Sequence, residues 1–268
     1  MSLRSWLRGR FSRPPARPRI LALLAFRDEM RYLPDYFASV RPLVDGVVAL
    51  DDGSTDGSTD FVAAQPEVLA LLRRPSRADH AWDDAANHRR LVEASWAHAP
   101  DWLLGLDADE RLEFDFRARA EAEIARGNRE GLRAFRLHVR EIWDDPLHFR
   151  VDGLWGGKSS ARFFAARRDH EFHEQRFHCH WAPLNSRTNG DFPQADVFLY
   201  HLRMLRSEDR AARRARYERL DPERAFQAIG YDYMTRETGL ELERIAAGRE
   251  YRPLPQDGSG LTPLSPRR

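Results

Sequence analysis

Two short acidic runs carry the chemistry that can be read from this chain of 268 residues: Asp51-Asp52, followed by Gly53-Ser54-Thr55-Asp56, and Asp107-Ala108-Asp109-Glu110, which begins 55 positions after Asp52. Each follows an apolar run directly, Val47 to Leu50 in the first case and Leu104 to Leu106 in the second. Carboxylates at the end of a buried strand either hold a divalent cation through hard oxygen ligands or accept hydrogen bonds from a polar ligand such as a ribose or a base. Either run alone reads as a solvated turn; the two together, each at a strand end, read as a site. A third cluster, Asp169-His170-Glu171-Phe172-His173-Glu174, is rich in groups able to move a proton. His178, Cys179 and His180 follow it, and His201 and Arg203 stand after the apolar stretch Val197 to Tyr200.

The elements that must position these groups alternate along the chain. An apolar run at 20–26 has the length of a buried parallel strand, and Met30, Leu33, Phe37, Val40 and Leu43 recur at helical spacing after it. The pattern then predicts a strand at 46–50, a helix at 58–65, a strand at 68–72, a helix at 83–98 with Asp83 or Asp84 as cap, and a strand at 102–106. This order implies a parallel sheet with right-handed crossovers, in which ligands collect beyond the carboxyl ends of the strands, where both acidic runs fall. A helix at 116–126 and strands at 132–142 and 161–166 are expected next. Residues 200–217 read as strand then helix, and 222–248 as helical with interruptions.

Composition narrows the function class. The 43 basic and 42 acidic residues leave a net charge of +1, so no broad positive field marks a nucleic-acid surface. Lys158 is the sole lysine, all other basic residues being arginine. A single cysteine, Cys179, excludes an intramolecular disulfide and fits a cytoplasmic location. The longest clean apolar run, 20–26, is far shorter than the roughly 20 residues that span a bilayer. Residues 1–18 form a basic leader in which Leu3, Leu7 and Phe11 recur every four positions among arginines; its 1–13 portion reads either as a disordered segment or as a peripheral contact with the inner face of a membrane. The Pro-, Gly- and Ser-rich 252–268 is expected to be disordered.

With these residues in view, the run from Val47 to Asp56 and the later Leu104-Gly105-Leu106-Asp107-Ala108-Asp109-Glu110 resemble family 2 glycosyltransferases of the GT-A fold. The resemblance covers about 19–220. It implies an α/β domain, a Rossmann-like, mostly parallel sheet flanked by helices, with a nucleotide-binding half at 19–112, an acceptor half at 113–220 and a helical extension at 221–251. By the same resemblance, Phe26, Asp28, Asp51, Asp52, Asn87 and Asp107 face a sugar nucleotide, with a UDP-sugar as the family's usual donor. Asp109 and His201 would ligate Mn²⁺ or Mg²⁺, and Arg203 would steady phosphate oxygens. Ala86 stands where the family often has arginine beside Asn87.

The subgroup resembling bacterial lipopolysaccharide-core glucosyltransferases has an Arg-Leu-Phe-like strand followed by a His-Glu pair, matched here by Arg162-Phe163-Phe164 and His173-Glu174. That makes Glu174 the expected base for inverting transfer to a glycan or glycolipid, with Glu171 and Asp169 as fallbacks and Trp155 and His173 toward the acceptor. Two other classes stay open. A nucleotidyltransferase would carry a glycine-rich basic loop after the first strand, where this chain has Ala25-Phe26-Arg27-Asp28-Glu29; a non-catalytic sugar-nucleotide or glycan binder would share the motifs. A zinc site built from His170, His173, His178, Cys179 and His180 has the right ligand types but no familiar spacing.

Overall fold

The computed structural model describes residues 17–76, 82–175 and 179–254. The leader segment expected at a membrane surface, His178 and nearly all of the tail lie outside the described residues.

Strands β1 (Ile20–Phe26), β2 (Val47–Asp51), β3 (Val68–Arg73) and β4 (Trp102–Gly105) are parallel neighbours in the order β4-β1-β2-β3. Every residue of β1 is buried, because both sheet faces are covered. Ile20, Ala22, Leu24 and Phe26 pack with helices α1 (Leu33–Val40) and α4 (Phe116–Glu130), while Leu21, Leu23 and Ala25 pack with α3 (Asp84–Ser95). The period-2 geometry of a strand assigns alternate residues to the two cores, and each fully buried leucine contributes about 1.5–3 kcal/mol. Pro34 sits in the first turn of α1, where its missing N–H has no intrahelical partner to lose. Asp83 caps α3, accepting from the amide of Ala86 at 2.9 Å. Helix α2 (Ser58–Ala63) begins after Gly57, which has φ +93°.

The sheet continues through antiparallel neighbours: β8 (Ser159–Ala165) pairs with β4, β6 (Ala134–Trp143) lies between β8 and β7 (Asp145–Arg150), and β10 (Leu242–Arg244) closes the edge. Strand β9 (Gln194–His201) runs parallel to β6 and antiparallel to the short β5 (Glu110–Leu112). The expected α/β architecture, a sheet flanked by helices, is therefore present, its carboxyl edge carrying both acidic runs.

The region after helix α5 (Ser207–Leu220) departs from expectation. Instead of a helical extension, residues 221–251 form turns, a 3-10 turn at Asp232–Met234 and β10. Gly230, Gly239 and Gly248 each adopt positive φ, and the Asp221 carboxylate accepts from the amides of Phe226 and Gln227, which turns the chain rather than continuing α5. Tyr231 and Met234 then pack against Trp143 and Trp155. Strands β5, β7 and β10 also lack a sequence signal, the first and last being only three residues long. Among the described residues no helix is long and apolar enough to cross a membrane.

Candidate active site

The loops after β1 and β2 are laced together. Asp28, at φ +54°, accepts from the amide and hydroxyl of Thr55 at 2.7 and 3.2 Å, and the amides of Asp28, Glu29 and Met30 donate to Ser54, Ser58 and Asp56. Asp51 accepts from the Ser54 amide at 2.8 Å and the Thr59 hydroxyl at 2.5 Å, so its carboxylate builds the turn. Gly53 allows that turn: its φ is +88°, and a Cβ there would lie 3.0 Å from Ser76 Cα. Asp52 is fully buried and receives Arg74 at 2.7 Å and the Asn87 amide at 3.3 Å. Asn87 is also fully buried, and its Oδ1 has no hydrogen-bond partner among the described residues. Phe26 contributes its carbonyl, which accepts from the Asp52 amide, whereas its ring belongs to the core. Its expected place facing a nucleotide is thereby restricted to backbone.

The second acidic run is assembled by strand pairing. Glu110 lies opposite His201 across β5 and β9, and the amide of Leu202 donates to the Asp109 carbonyl at 2.8 Å. This brings His201 Nε2 to 3.1 Å from Asp109 Oδ2, which also receives Arg203 Nε at 2.6 Å. Arg203 continues to Glu29 at 2.5 Å, and His201 Nδ1 lies 2.6 Å from Glu141 Oε2. The other Glu141 oxygen holds Lys158. Arg213 reaches His201 Nε2 at 3.3 Å. A chain of alternating charge thus runs Glu29–Arg203–Asp109–His201–Glu141–Lys158. Asp107 stands beside it, its carboxylate and that of Glu110 both paired with Arg162 at about 3 Å.

Burial and pairing set the charges. Burial works against the ionised Asp109 and Glu141, yet Arg203 and His201 for the first, and His201 and Lys158 for the second, outweigh it and hold both carboxyls below the usual range. Burial likewise opposes charge on His201, but Glu141 and Asp109 raise it to about 9. For Glu110 burial prevails over Arg162 and lifts the carboxyl to about 8; for Glu29 it prevails over Arg203 and lifts it to about 7.

The donor set suits a divalent cation shared with phosphates. Asp109 and His201 converge on one point, and Mg²⁺ in phosphate-handling sites uses one or two carboxylates plus phosphate oxygens and water rather than an all-protein cage. The carboxylate behind His201 is the outer partner that metal-ligating imidazoles commonly have. Among the described residues no group of three His, Cys, Asp or Glu side chains forms a cage; the zinc reading also includes His178, which lies outside them. His88, stacked on Trp181 with centroids 3.7 Å apart, lies 3.6 Å from Cys179 Sγ, and His173 and His180 meet ring to ring at 5.9 Å.

The remaining expected residues fall in different places. Glu174 is exposed on an irregular segment, as is Glu171, whose amide donates to Asn185. Asp169 is exposed and paired with Arg167 at 2.6–2.7 Å. Trp155 is a correction: it is 5% exposed, packed between Trp143 and Tyr233, and so has no open face for a sugar. Arg203 faces Asp109 and Glu29, with its guanidinium 4.7 Å from the centroid of the Tyr32 ring. Glu141, Lys158, Arg74 and Arg213 were not anticipated as site residues. Lys158 carried a signal, being the one lysine in an arginine-rich chain, and Glu141 is an acid inside a strand-like run.

No family model matches the chain. It is 26% identical over 224 residues to the uncharacterized protein Rv3786c of Mycobacterium tuberculosis and, to the same extent, to the uncharacterized protein Mb3815c of Mycobacterium bovis, covering 80% of this chain and 54% of each relative. The chain therefore spans about half the length of these curated relatives. Among solved structures it is similar to residues 1–349 of S. aureus TarS, with a TM-score of 0.47 and 12% identity over 74% of this chain and 64% of that one. Glucosyl-3-phosphoglycerate synthase from Mycobacterium tuberculosis, solved with Mn²⁺ and uridine-diphosphate-glucose, gives a TM-score of 0.33 and 20% identity over 47% of this chain and 44% of that one.

Proposed function

We propose that the chain is a glycosyltransferase that moves a sugar from a nucleotide donor, a UDP-sugar, to a glycan or glycolipid acceptor with inversion at the anomeric carbon. The observation that carries this reading is the convergence of Asp109 and His201 at the carboxyl edge of the parallel sheet, beside the loops of Asp28 and Asp52. In it, the nucleotide lies over residues 19–112. Asp52 and Asn87, whose Oδ1 lacks a partner among the described residues, supply contacts to base and ribose, while Asp28 and Asp51 hold the loops in shape.

Asp109 and His201 would hold Mn²⁺ or Mg²⁺, with Asp107 alongside. When bound, the ion supplies positive charge to a departing diphosphate. Arg203 and Arg213, both directed at this pair, bind phosphate oxygens and keep the leaving group in place. Glu174, on the 167–192 segment after β8, takes the acceptor hydroxyl proton. The buried carboxyls of Glu29 and Glu110 stay within the site's interior as hydrogen-bond partners of Arg203 and Arg162.

The test is donor hydrolysis and nucleotide binding by the full chain with Mn²⁺. The parent should bind UDP in a metal-dependent way and slowly hydrolyse a UDP-sugar, and Asp109→Ala should lose both. Unchanged binding and hydrolysis in that variant would defeat the reading, and metal-dependent binding without any turnover would favour a non-catalytic sugar-nucleotide binder.

A further inference from the structure

Glu141 occupies a position that the expected chemistry leaves unused. It pairs with His201 in register across parallel strands β6 and β9, so both side chains stand on the same sheet face. Glu141 is 1% exposed and each of its oxygens is engaged: Oε2 with His201 Nδ1 at 2.6 Å, Oε1 with the Lys158 ammonium. Lys158 is itself fixed to β6, since its carbonyl accepts from the Val139 amide at 2.9 Å, and its ammonium lies 5.7 Å from the centroid of the buried Trp155 ring. Burying an ion pair is costly and adds little net stability compared with apolar packing, so stability alone is a poor reason for this arrangement.

What the arrangement does accomplish is geometric. An imidazole whose Nδ1–H is committed to a carboxylate has one tautomer and one ring orientation when neutral, and it offers Nε2 as a lone pair. Here Nε2 points to Asp109 Oδ2, 3.1 Å away. We propose that Glu141, clamped by Lys158, is the positioning residue of the site, holding His201 with Nδ1 protonated so that Nε2 and the Asp109 carboxylate face a divalent cation together. This rests on reading Asp109 and His201 as the metal pair. Lys158, the single lysine, then fixes the second oxygen of Glu141 so that the carboxylate cannot swing away from the ring.

The experiment measures Mn²⁺ affinity of the full chain in the presence of UDP, by paramagnetic resonance of the free ion, together with ¹⁵N shifts of the His201 ring, assigned by comparison with His201→Ala. Glu141→Ala should weaken Mn²⁺ binding by about 10- to 100-fold and abolish the Nδ1–H pattern of the neutral ring. Glu141→Gln, which can still accept from Nδ1, should keep the tautomer and recover much of the affinity. Lys158→Met, altering a side chain that is 40% exposed, should weaken binding by a few-fold in the same direction even if Glu141→Ala fails to fold. Mn²⁺ affinity and ring shifts unchanged in Lys158→Met, with Glu141→Ala either unchanged or unfolded, would overturn the proposal. If Asp109→Ala and His201→Ala retain Mn²⁺ binding, it is instead the metal reading that fails, and the ring shifts of Glu141→Ala still report whether Glu141 sets the tautomer.

Discussion

Asp109 Oδ2 lies 3.1 Å from His201 Nε2 and receives Arg203 Nε at 2.6 Å, joining two segments more than 90 positions apart in the chain. The pairing of β5 with β9 creates this contact, and it makes Asp109 the hinge between the donor-side loops and the second half of the sheet.

Substitution of Asp109 separates its roles. Asp109→Asn keeps the shape but removes the charge, so donor hydrolysis with Mn²⁺ should fall on the order of 100-fold or more, as when a group stabilising transition-state charge is lost. Arg203 retains Glu29 as partner, so the fold should survive. Circular dichroism alongside the hydrolysis assay checks both halves of the expectation, and undiminished hydrolysis would rule Asp109 out.

Glu174 makes the opposite case. It is exposed, so Glu174→Gln should change stability by no more than about 0.5 kcal/mol. As the base, it should lower kcat for transfer by about 10²- to 10⁴-fold while UDP affinity holds. If kcat is retained, the same measurement on Glu171→Gln and Asp169→Asn shows which carboxylate, if any, takes the proton.

The pH dependence of stability has a definite sign. Folding raises His201 from 6.5 to about 9, Glu110 from 4.5 to about 8 and Glu29 from 4.5 to about 7. A group that holds its proton more tightly when folded favours the folded state most fully below its unfolded value, and that contribution is lost as pH rises through the folded value. The carboxyls shifted down, Asp109 and Glu141, act only at lower pH. Burial holds His88 down to about 3 and His170 to about 4, and these act in the opposite sense below about pH 6.5. The melting temperature of the metal-free chain should therefore fall between about pH 7 and 9, and Glu110→Gln should flatten the decline between about pH 7 and 8. A melting temperature that rises over this interval would contradict the charge assignment.

Gly105, the last residue of β4, lies against Trp181, whose ring fills the space where a Cβ would stand. Gly105→Ala should cost about 1–3 kcal/mol in urea denaturation, as overpacking typically does. Combined with Trp181→Leu, the alanine should cost less than it does alone, because the two sites touch and their effects are not additive. Equal costs in both backgrounds would mean that the ring is not what excludes a side chain.

Local pattern was sufficient wherever a segment's own residues decide its structure. The buried run of β1, the cap of α3 at Asp83 and the placement of Asp51 and Asp107 after apolar strands were all legible, because burial of both faces and the satisfaction of the first helical amides leave signatures in adjacent residues. The reading failed at 222–248, where Gly230, Gly239, Gly248 and the Asp221 carboxylate outweigh helical spacing. It failed also at Trp155, since one tryptophan serves a core or a ligand equally well and only its neighbours distinguish the two.

The order of strands and helices as far as β4, the two acidic runs and their place at strand ends follow from the chain's sequence alone, because periodicity and turn chemistry act over a few residues. Tertiary structure alone decided that Arg203 pairs with both Asp109 and Glu29, that Glu141 stands behind His201, and that the single lysine closes the network. Those contacts join residues separated by 17 to 174 positions, and they form only when mixed parallel and antiparallel pairing brings β5, β6, β8 and β9 together. Charge partners at such separations leave no local pattern, because the energy that selects them arises after the backbone has removed them from water.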